Sequence, residues 1–86
     1  MFSRRIAVEY EINNKRKPCL LKWLDSFAMR NFTNDAAFDE TLPVADGVME
    51  IGRRVPLEEL RTAMQDWFQR KSYVEKGARV VVKEIP

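Results

Sequence analysis

The chain contains no histidine, and Cys19 is its one cysteine. Without histidine there is no Ser–His–Asp or Cys–His catalytic arrangement and no histidine-ligated zinc, and the commonest general base near neutral pH is missing. A single cysteine forms neither an internal disulfide nor a thiolate metal cluster, and it suits a reducing compartment. These absences exclude most of the common catalytic and zinc-binding arrangements.

Glycine and long apolar runs are also scarce. The three glycines are isolated from one another, so no glycine-rich loop is present that could cradle a phosphate. No apolar run approaches the length of about 18 residues that a membrane-spanning helix needs, and the N-terminal residues contain no signal-peptide core. We therefore expect a soluble, cytoplasmic protein.

The composition is typical of one small globular domain. The 86 residues are 45% hydrophobic and 33% charged, and they are too few for two independent cores. We therefore interpret residues 1–86 as a single domain. The 15 basic and 13 acidic residues give a net charge of +2, which is less positive than a dedicated nucleic-acid-binding domain would be.

Hydrophobic periodicity predicts four strands. Alternation is clearest in the first strand, where the apolar residues are Ile6, Val8, Tyr10 and Ile12. Further strands are predicted over about 38–44, 48–53 and 78–85, the first of them weakened by Pro43. In that strand Phe38, Glu40, Leu42 and Val44 are expected on one side, with Asp39 and Thr41 on the other. The dipeptide Asp46-Gly47 predicts a hairpin turn in which both residues have positive φ.

Apolar residues at spacings of three and four predict two helices. The first covers about 18–30 and the second begins at Pro56, with a proline at the first helical position of each. The segment 13–17 between the first strand and the first helix is interpreted as a charged turn. The aromatic residues on the helical stripes are interpreted as core: Trp23, Phe27, Trp67 and Phe68.

This order of elements predicts an α+β fold, a single-domain βαββαβ ferredoxin-like sandwich. Two helices would cover one face of a four-stranded antiparallel sheet, with the first and third strands in the centre. The other face would be open. Its predicted apolar residues are Ala7, Val48, Val81 and Ile85, among charged residues that include Arg5, Glu9, Glu11, Glu50, Arg79 and Lys83.

The candidate binding residues are mostly basic. The densest cluster, Lys15-Arg16-Lys17, is expected in a loop before the first helix, whose N-terminal amides could hold a phosphate or carboxylate. Arg53 and Arg54 are expected beside Arg4 and Arg5 at the opposite end of the sheet. The remaining candidates lie at the end of the second helix and in the charged loop that follows it: Arg70, Lys71 and Tyr73. An exposed aromatic residue flanked by cations is a typical interface anchor.

Together these features predict a small non-enzymatic protein-binding module, such as an inhibitor, adaptor or assembly subunit, that acts through charged surface patches. Small phage- or plasmid-encoded inhibitors of a host complex have the same general appearance. We expect a protein partner, no membrane, no cofactor and no metal. A homodimer through the open sheet face or an edge strand is a further option, because it would add buried area to a small core.

Two alternatives stay open. The first is a nucleic-acid-binding factor that uses the basic clusters, and its binding would weaken steeply with salt. The central strands offer no aromatic platform on the open face for stacking bases.

The second alternative is an enzyme that holds a divalent cation with acidic side chains of the open face, since oxygen ligands suit magnesium or calcium. Those acidic residues are Glu9, Glu11, Asp39 and Glu50.

Overall fold

The structure is a computed structural model that describes residues 2–30 and 40–86. Within these residues the elements are β1 (Phe2–Ile12), β2 (Lys15–Pro18), α1 (Leu21–Arg30), β3 (Thr41–Ala45), β4 (Val48–Gly52), α2 (Leu57–Arg70) and β5 (Arg79–Ile85). All strand pairings are antiparallel. The α+β class is confirmed, with five strands in the described part of the chain where four were predicted.

The central strand of the sheet is β1. It pairs with β5 along one side, from Arg5 to Glu11. On its other side it pairs first with β4 and then, over its last four residues, with β2. The remaining strand, β3, pairs with β4. The strand with the clearest alternation in the sequence is therefore the one with neighbours on both sides.

The additional strand, β2, lies where the sequence predicted a charged turn. Asn13 and Asn14 have φ values of 54° and 61°, as the two central residues of a type I′ hairpin turn require. The chain then returns along β1 with Lys15 opposite Ile12. Pro18 is the last residue of β2 and not the first residue of a helix, so the predicted helix start was wrong by three residues.

The weak strand β3 has the opposite inside–outside pattern from the prediction. Thr41 is buried, whereas Leu42 and Val44 are each 43% exposed. Pairing with β4 sets this orientation, because Thr41 lies opposite the inward-facing Ile51. The register also shifts between Pro43 and Ala45, and such a bulge changes the face on which a side chain lies. The predicted positions of Phe38 and Asp39 lie outside the described residues.

The hairpin at Asp46-Gly47 is confirmed, although Gly47 alone of the two residues has a positive φ, 72°. The second helix also agrees with the prediction. Pro56 is the N-cap and not the first helical residue as predicted, and the buried residues of the helix are Leu60, Met64 and Phe68.

One hydrophobic core lies between the sheet and the two helices. The inward residues Ile6, Val8, Met49, Ile51 and Val80 belong to the same buried cluster as Leu24, Phe27, Leu60, Met64 and Phe68 of the helices. Both helices therefore pack on one face of the sheet. Trp23 and Trp67 are partly buried against this core, which confirms the prediction that the aromatic residues of the helical stripes pack inside.

Candidate functional site

The basic cluster Lys15-Arg16-Lys17 lies on β2 and is exposed throughout. Successive side chains of a strand point to opposite faces. Lys17 lies opposite Tyr10, whose ring packs against the core, so Lys15 and Lys17 point to the helix side of the sheet. Arg16 points to the open side. The cluster is thus fixed on a strand, whereas the sequence predicted a loop.

The charge of Arg16 is matched within the chain. Its Nε lies 3.0 Å from Glu11 Oε1, and Arg79 Nη2 lies 3.7 Å from the same oxygen. Lys15 and Lys17 have no ion pair among the described residues. No local pattern groups Arg79 with this cluster, because their proximity depends on the pairing of β5 with β1.

The end of α2 carries the next two candidate residues. Arg70 Nε lies 3.0 Å from Asp66 Oδ2. The cationic groups of Arg70 and Lys71 lie 5.5 Å and 4.8 Å from the centre of the Trp67 ring, within the range of a cation–π interaction. The ring therefore holds both cations beside the C-terminus of the helix, where positive charge is favoured.

These two clusters lie at the same end of the molecule. Helix α2 runs from the end of β4, which pairs with the start of β1, toward β5, which begins opposite Glu11 near the end of β1. Aromatic rings that contact one another lie between the two basic clusters. The ring of Tyr10 lies 5.5 Å from Trp23, and Trp23 stacks on Tyr73 at 5.6 Å and 3°. We call the group Lys15, Arg16, Lys17, Arg70 and Lys71 the basic end.

Tyr73 is a packed residue, so the expectation that it is an exposed anchor was wrong. Its hydroxyl donates to Ser26 Oγ at 3.1 Å, and Trp67 Nε1 donates to the same oxygen at 3.0 Å. Tyr73 is held in this position by a Schellman motif at the end of α2, in which Ser72 has a φ of 59°. The Tyr73 N–H then bonds to the Phe68 carbonyl, and the Ser72 N–H to the Gln69 carbonyl. Glycine usually marks this motif, and the serine gave no such signal.

Arg53 and Arg54 lie at the opposite end, exposed after β4. As expected, Arg4 lies beside them, since its Nη1 donates to the carbonyls of Arg53 at 3.2 Å and Val55 at 2.8 Å. Arg4 Nε also bonds to Glu84 at 2.6 Å. The structure therefore places five of the basic candidates at one end of β1, and Arg53 and Arg54 at the other end.

The N-terminus of α1 already has a carboxylate partner from the chain itself. The Leu21 N–H donates to Asp46 Oδ1 at 2.7 Å. Asp46 lies in the turn between β3 and β4, so this bond also fixes that turn against the helix. The expectation that these amides serve an external phosphate or carboxylate beside Lys15-Arg16-Lys17 is thus not supported by the geometry.

Side chains of α2 form hydrogen bonds with the backbone along the first half of the outer edge of β5. Gln65 Oε1 accepts from the Val80 N–H at 2.7 Å, and Gln65 Nε2 donates to the Ala78 carbonyl at 2.9 Å. The amide thus takes the place that a neighbouring strand would have. Arg61 Nη1 donates weakly to the Val80 carbonyl at 3.4 Å. This protection disfavours a homodimer through the β5 edge.

The open face of the sheet contains ion pairs at both ends and apolar residues in the middle. Arg5 Nη2 lies 2.9 Å from Glu50 Oε2 at one end, and Glu11 lies between Arg16 and Arg79 at the other. The apolar residues expected here are half-buried and outside the core: Ala7, Val48, Val81 and Ile85. Among the described residues there is no group of three His, Cys, Asp or Glu side chains that could hold a metal ion.

Cys19 is completely buried. Burial and, to a smaller extent, the nearby Glu9 carboxylate raise the pKa of its thiol from 9.0 to about 12. The thiolate is the reactive form of cysteine, so this side chain is inert at neutral pH. Its role in the fold is to pack and to extend the backbone network beside Val8.

We expect Cys19 to make the fold less stable as the pH rises from about 9 toward about 12. In this range the unfolded chain loses the thiol proton and the folded chain retains it, so the free energy of unfolding falls, by at most about 1.4 kcal/mol per pH unit. Chemical denaturation at several pH values, compared with Cys19→Ala, measures the effect. The wild type should show the steeper decline, and parallel pH profiles would contradict the prediction.

No family model matches the chain. The searches of curated proteins and of solved structures likewise gave no significant match. Neither helix in the described part of the chain is long and apolar enough to cross a membrane. The geometry of the basic end and of the open face therefore carries the functional argument.

Proposed function

We propose that the protein is a non-enzymatic protein-binding module that attaches to an acidic surface of its partner through the basic end. The observation that carries this proposal is the placement of Lys15 and Lys17. Both are exposed on a strand held by β1, and both lack an ion pair among the described residues. Such preformed positive charge steers association and selects complementary partners.

We further propose that the domain is a variant of the ferredoxin-like plan. The strand order β5-β1-β4-β3, all antiparallel, with both helices on one face, supports this assignment. The hairpin formed by β1 and β2 would then be the distinguishing addition. The addition carries Lys15, Arg16 and Lys17, so the feature that departs from the common plan is also the proposed contact surface.

A protein partner is favoured over nucleic acid by the state of the neighbouring groups. The rings of Tyr10, Trp23 and Tyr73 are packed against the core, so they are not available to stack on bases. Arg16 and Arg70 are each bound to a carboxylate of the chain. The basic end thus presents a few fixed positive charges beside acidic groups that would repel a phosphate backbone. This arrangement suits the structured acidic surface of a protein better than it suits nucleic acid.

The test is affinity capture from the source cells with two charge-matched variants. The first is Lys15→Glu/Lys17→Glu, which changes the basic end, and the second is Arg53→Glu/Arg54→Glu, which changes the opposite end by the same amount. All four positions are exposed, so both variants should fold. With a nuclease-treated lysate, we expect one set of proteins to bind the wild type and the second variant but not the first.

Three results would overturn the proposal. Two of them are equal capture by both variants and capture of nothing at micromolar concentration. The third is capture that disappears with nuclease, which would favour the nucleic-acid alternative. For that case, fluorescence anisotropy with single- and double-stranded probes at low salt gives an independent measurement, and binding should then weaken steeply as salt is added.

A further inference from the structure

Cross-strand pairing arranges the open face in four rows. The first row contains Arg16, Glu11 and Arg79, and the second contains Pro18, Glu9 and Val81. The third row contains Val48, Ala7 and Lys83, and the fourth contains Glu50, Arg5 and Ile85. In each row the middle residue belongs to β1. Charged residues thus dominate the first and fourth rows, and apolar residues dominate the two rows between them.

Two charges of this face have no partner of opposite charge in the part of the chain that the structure describes. Arg5 pairs with Glu50, and Glu11 pairs with Arg16 and Arg79. Glu9 and Lys83 have no ion pair among the described residues. They lie in the second and third rows, among apolar neighbours. An apolar centre with charged residues around it is the usual anatomy of a protein–protein interface.

The charge pattern is complementary to itself in one orientation. When a second copy is turned over about an axis that crosses the strands, the first row of one copy faces the fourth row of the other. Glu11 then faces Arg5 of the second copy, and Arg16 faces its Glu50. Glu9 faces Ala7 of the second copy, one strand away from its Lys83, so the two unmatched charges also find partners.

The other simple orientation is repulsive. An axis parallel to the strands would place each β1 residue opposite itself, with Arg5 on Arg5, Glu9 on Glu9 and Glu11 on Glu11. It would also place Arg16 opposite Arg79 of the second copy. Like charges in such positions are destabilising. We therefore propose that the open face binds a second copy of this chain, face to face, about a twofold axis that crosses the strands.

The expected dimer is weak. The four rows run from Arg5 to Glu11, which is seven residues of β1 and about 20 Å. The strands β3, β4, β1 and β5 together span roughly 20 Å at about 4.8 Å each. Two such faces would bury roughly 800 Å² in total, which is less than a stable specific interface buries and fits a weak, transient one. Association should therefore depend on concentration in the micromolar to millimolar range, and equilibrium sedimentation is suited to measure it.

Two charge-swapped variants test the orientation. The first, Arg5→Glu/Glu50→Arg, preserves the ion pair within the chain but places like charges against the first row of a second copy. The other is Glu11→Arg/Arg16→Glu/Arg79→Glu, which preserves the ion pairs of the first row and likewise opposes like charges across the interface. Each variant alone should be monomeric at concentrations where the wild type dimerises. An equimolar mixture should form a heterodimer, because the swapped charges at positions 5 and 50 of one variant then face opposite charges at positions 11 and 16 of the other.

Three outcomes would overturn the proposal. They are a wild type that stays monomeric at millimolar concentration, variants that dimerise as well as the wild type, and a mixture that stays monomeric although the wild type dimerises. Circular dichroism of each variant checks that the fold is retained. Glu59→Lys, an exposed change on α2, is the control for altered charge away from the open face, and it should dimerise like the wild type.

Discussion

Phe68→Ala is expected to remove a large part of the free energy of unfolding. Phe68 is completely buried, and its ring contacts those of Trp23 at 6.0 Å, Phe27 at 6.5 Å and Tyr73 at 6.2 Å. Removing a buried phenylalanine ring costs about 3–5 kcal/mol. The total stability of a domain of this size is roughly 4–13 kcal/mol, so this one change removes between about a quarter and all of it.

Phe68→Leu is the matched comparison, because it retains most of the apolar volume. Its cost should stay below about 1.5 kcal/mol. Chemical denaturation followed by tryptophan fluorescence measures both variants, since Trp23 lies against the substituted ring and reports its loss. Equal stabilities for the alanine and leucine variants would show that the ring contacts contribute little beyond filling space.

The core was the part of the fold most accessible from the sequence, for a physical reason. The inward residues of β1 and β4 follow a period of two, and those of α2 follow a period of three to four. Burial on one face of an element is therefore visible in the sequence as a hydrophobic periodicity. Ile6 and Phe68 were both assigned correctly in this way. Local periodicity also ordered the elements well enough to predict the α+β class.

The errors lie where tertiary pairing overrides the local pattern. Nothing in the short segment 15–18 alternates in hydropathy, because all four of its residues are exposed, so β2 had no hydrophobic signal. The local indication of β2 was the pair Asn13-Asn14. The sequence analysis interpreted this pair as part of a charged turn and not as the turn of a hairpin. In β3 the register with β4 decides the orientation of Thr41 and Leu42, and a register is not visible in a single strand.

The candidate site could be predicted in part. The sequence identified Lys15, Arg16 and Lys17 as a cluster, because they are adjacent. It could not show that Arg79 joins Arg16 at Glu11, because that contact depends on two strand pairings of β1. It also assigned Tyr73 to the surface, since a helix end formed around Ser72 has no glycine to reveal it. Contacts between distant segments were therefore the information that the sequence lacked.

The two proposals are compatible with each other. Arg16 belongs to both surfaces, but Lys15 and Lys17 point to the helix side of the sheet and stay free when the open face is covered. Turning the second copy about an axis across the strands places the two basic ends at opposite ends of the dimer. A dimer could then bind two acidic sites at once, and linked binding raises the apparent affinity without any new contact.

Both surfaces depend on one backbone junction at Gly47. The Gly47 N–H donates to the Cys19 carbonyl at 2.7 Å, and its carbonyl accepts from the Val8 N–H at 2.8 Å. The Cys19 N–H in turn donates to the Val8 carbonyl at 3.0 Å. This network joins β4 and the end of β2 along the same side of β1. It therefore fixes the strand that carries the basic cluster beside the strand that carries Glu50.

Gly47→Ala is expected to destabilise the protein by about 2–5 kcal/mol. Gly47 has a φ of 72°, and an added Cβ would lie 2.7 Å from Pro18 Cβ. A left-handed conformation costs an alanine about 1–2 kcal/mol, and the contact adds about 1–3 kcal/mol of overpacking. Because Pro18 ends β2, the strain acts directly on the basic strand.

Gly77→Ala is the control for the same substitution at a position without either constraint. Among the described residues, no atom outside Gly77 and its two chain neighbours lies within 4 Å of the added Cβ, and Gly77 is not among the residues with positive φ. It should be neutral or stabilise the protein by about 0.4–1 kcal/mol, because alanine reduces the freedom of the unfolded chain. Chemical denaturation measures both variants, and hydrogen exchange locates the effect. Loss of amide protection at Val8 and Cys19 in Gly47→Ala alone would show that this glycine holds β2 beside β4, whereas equal stabilities of the two variants would contradict that role.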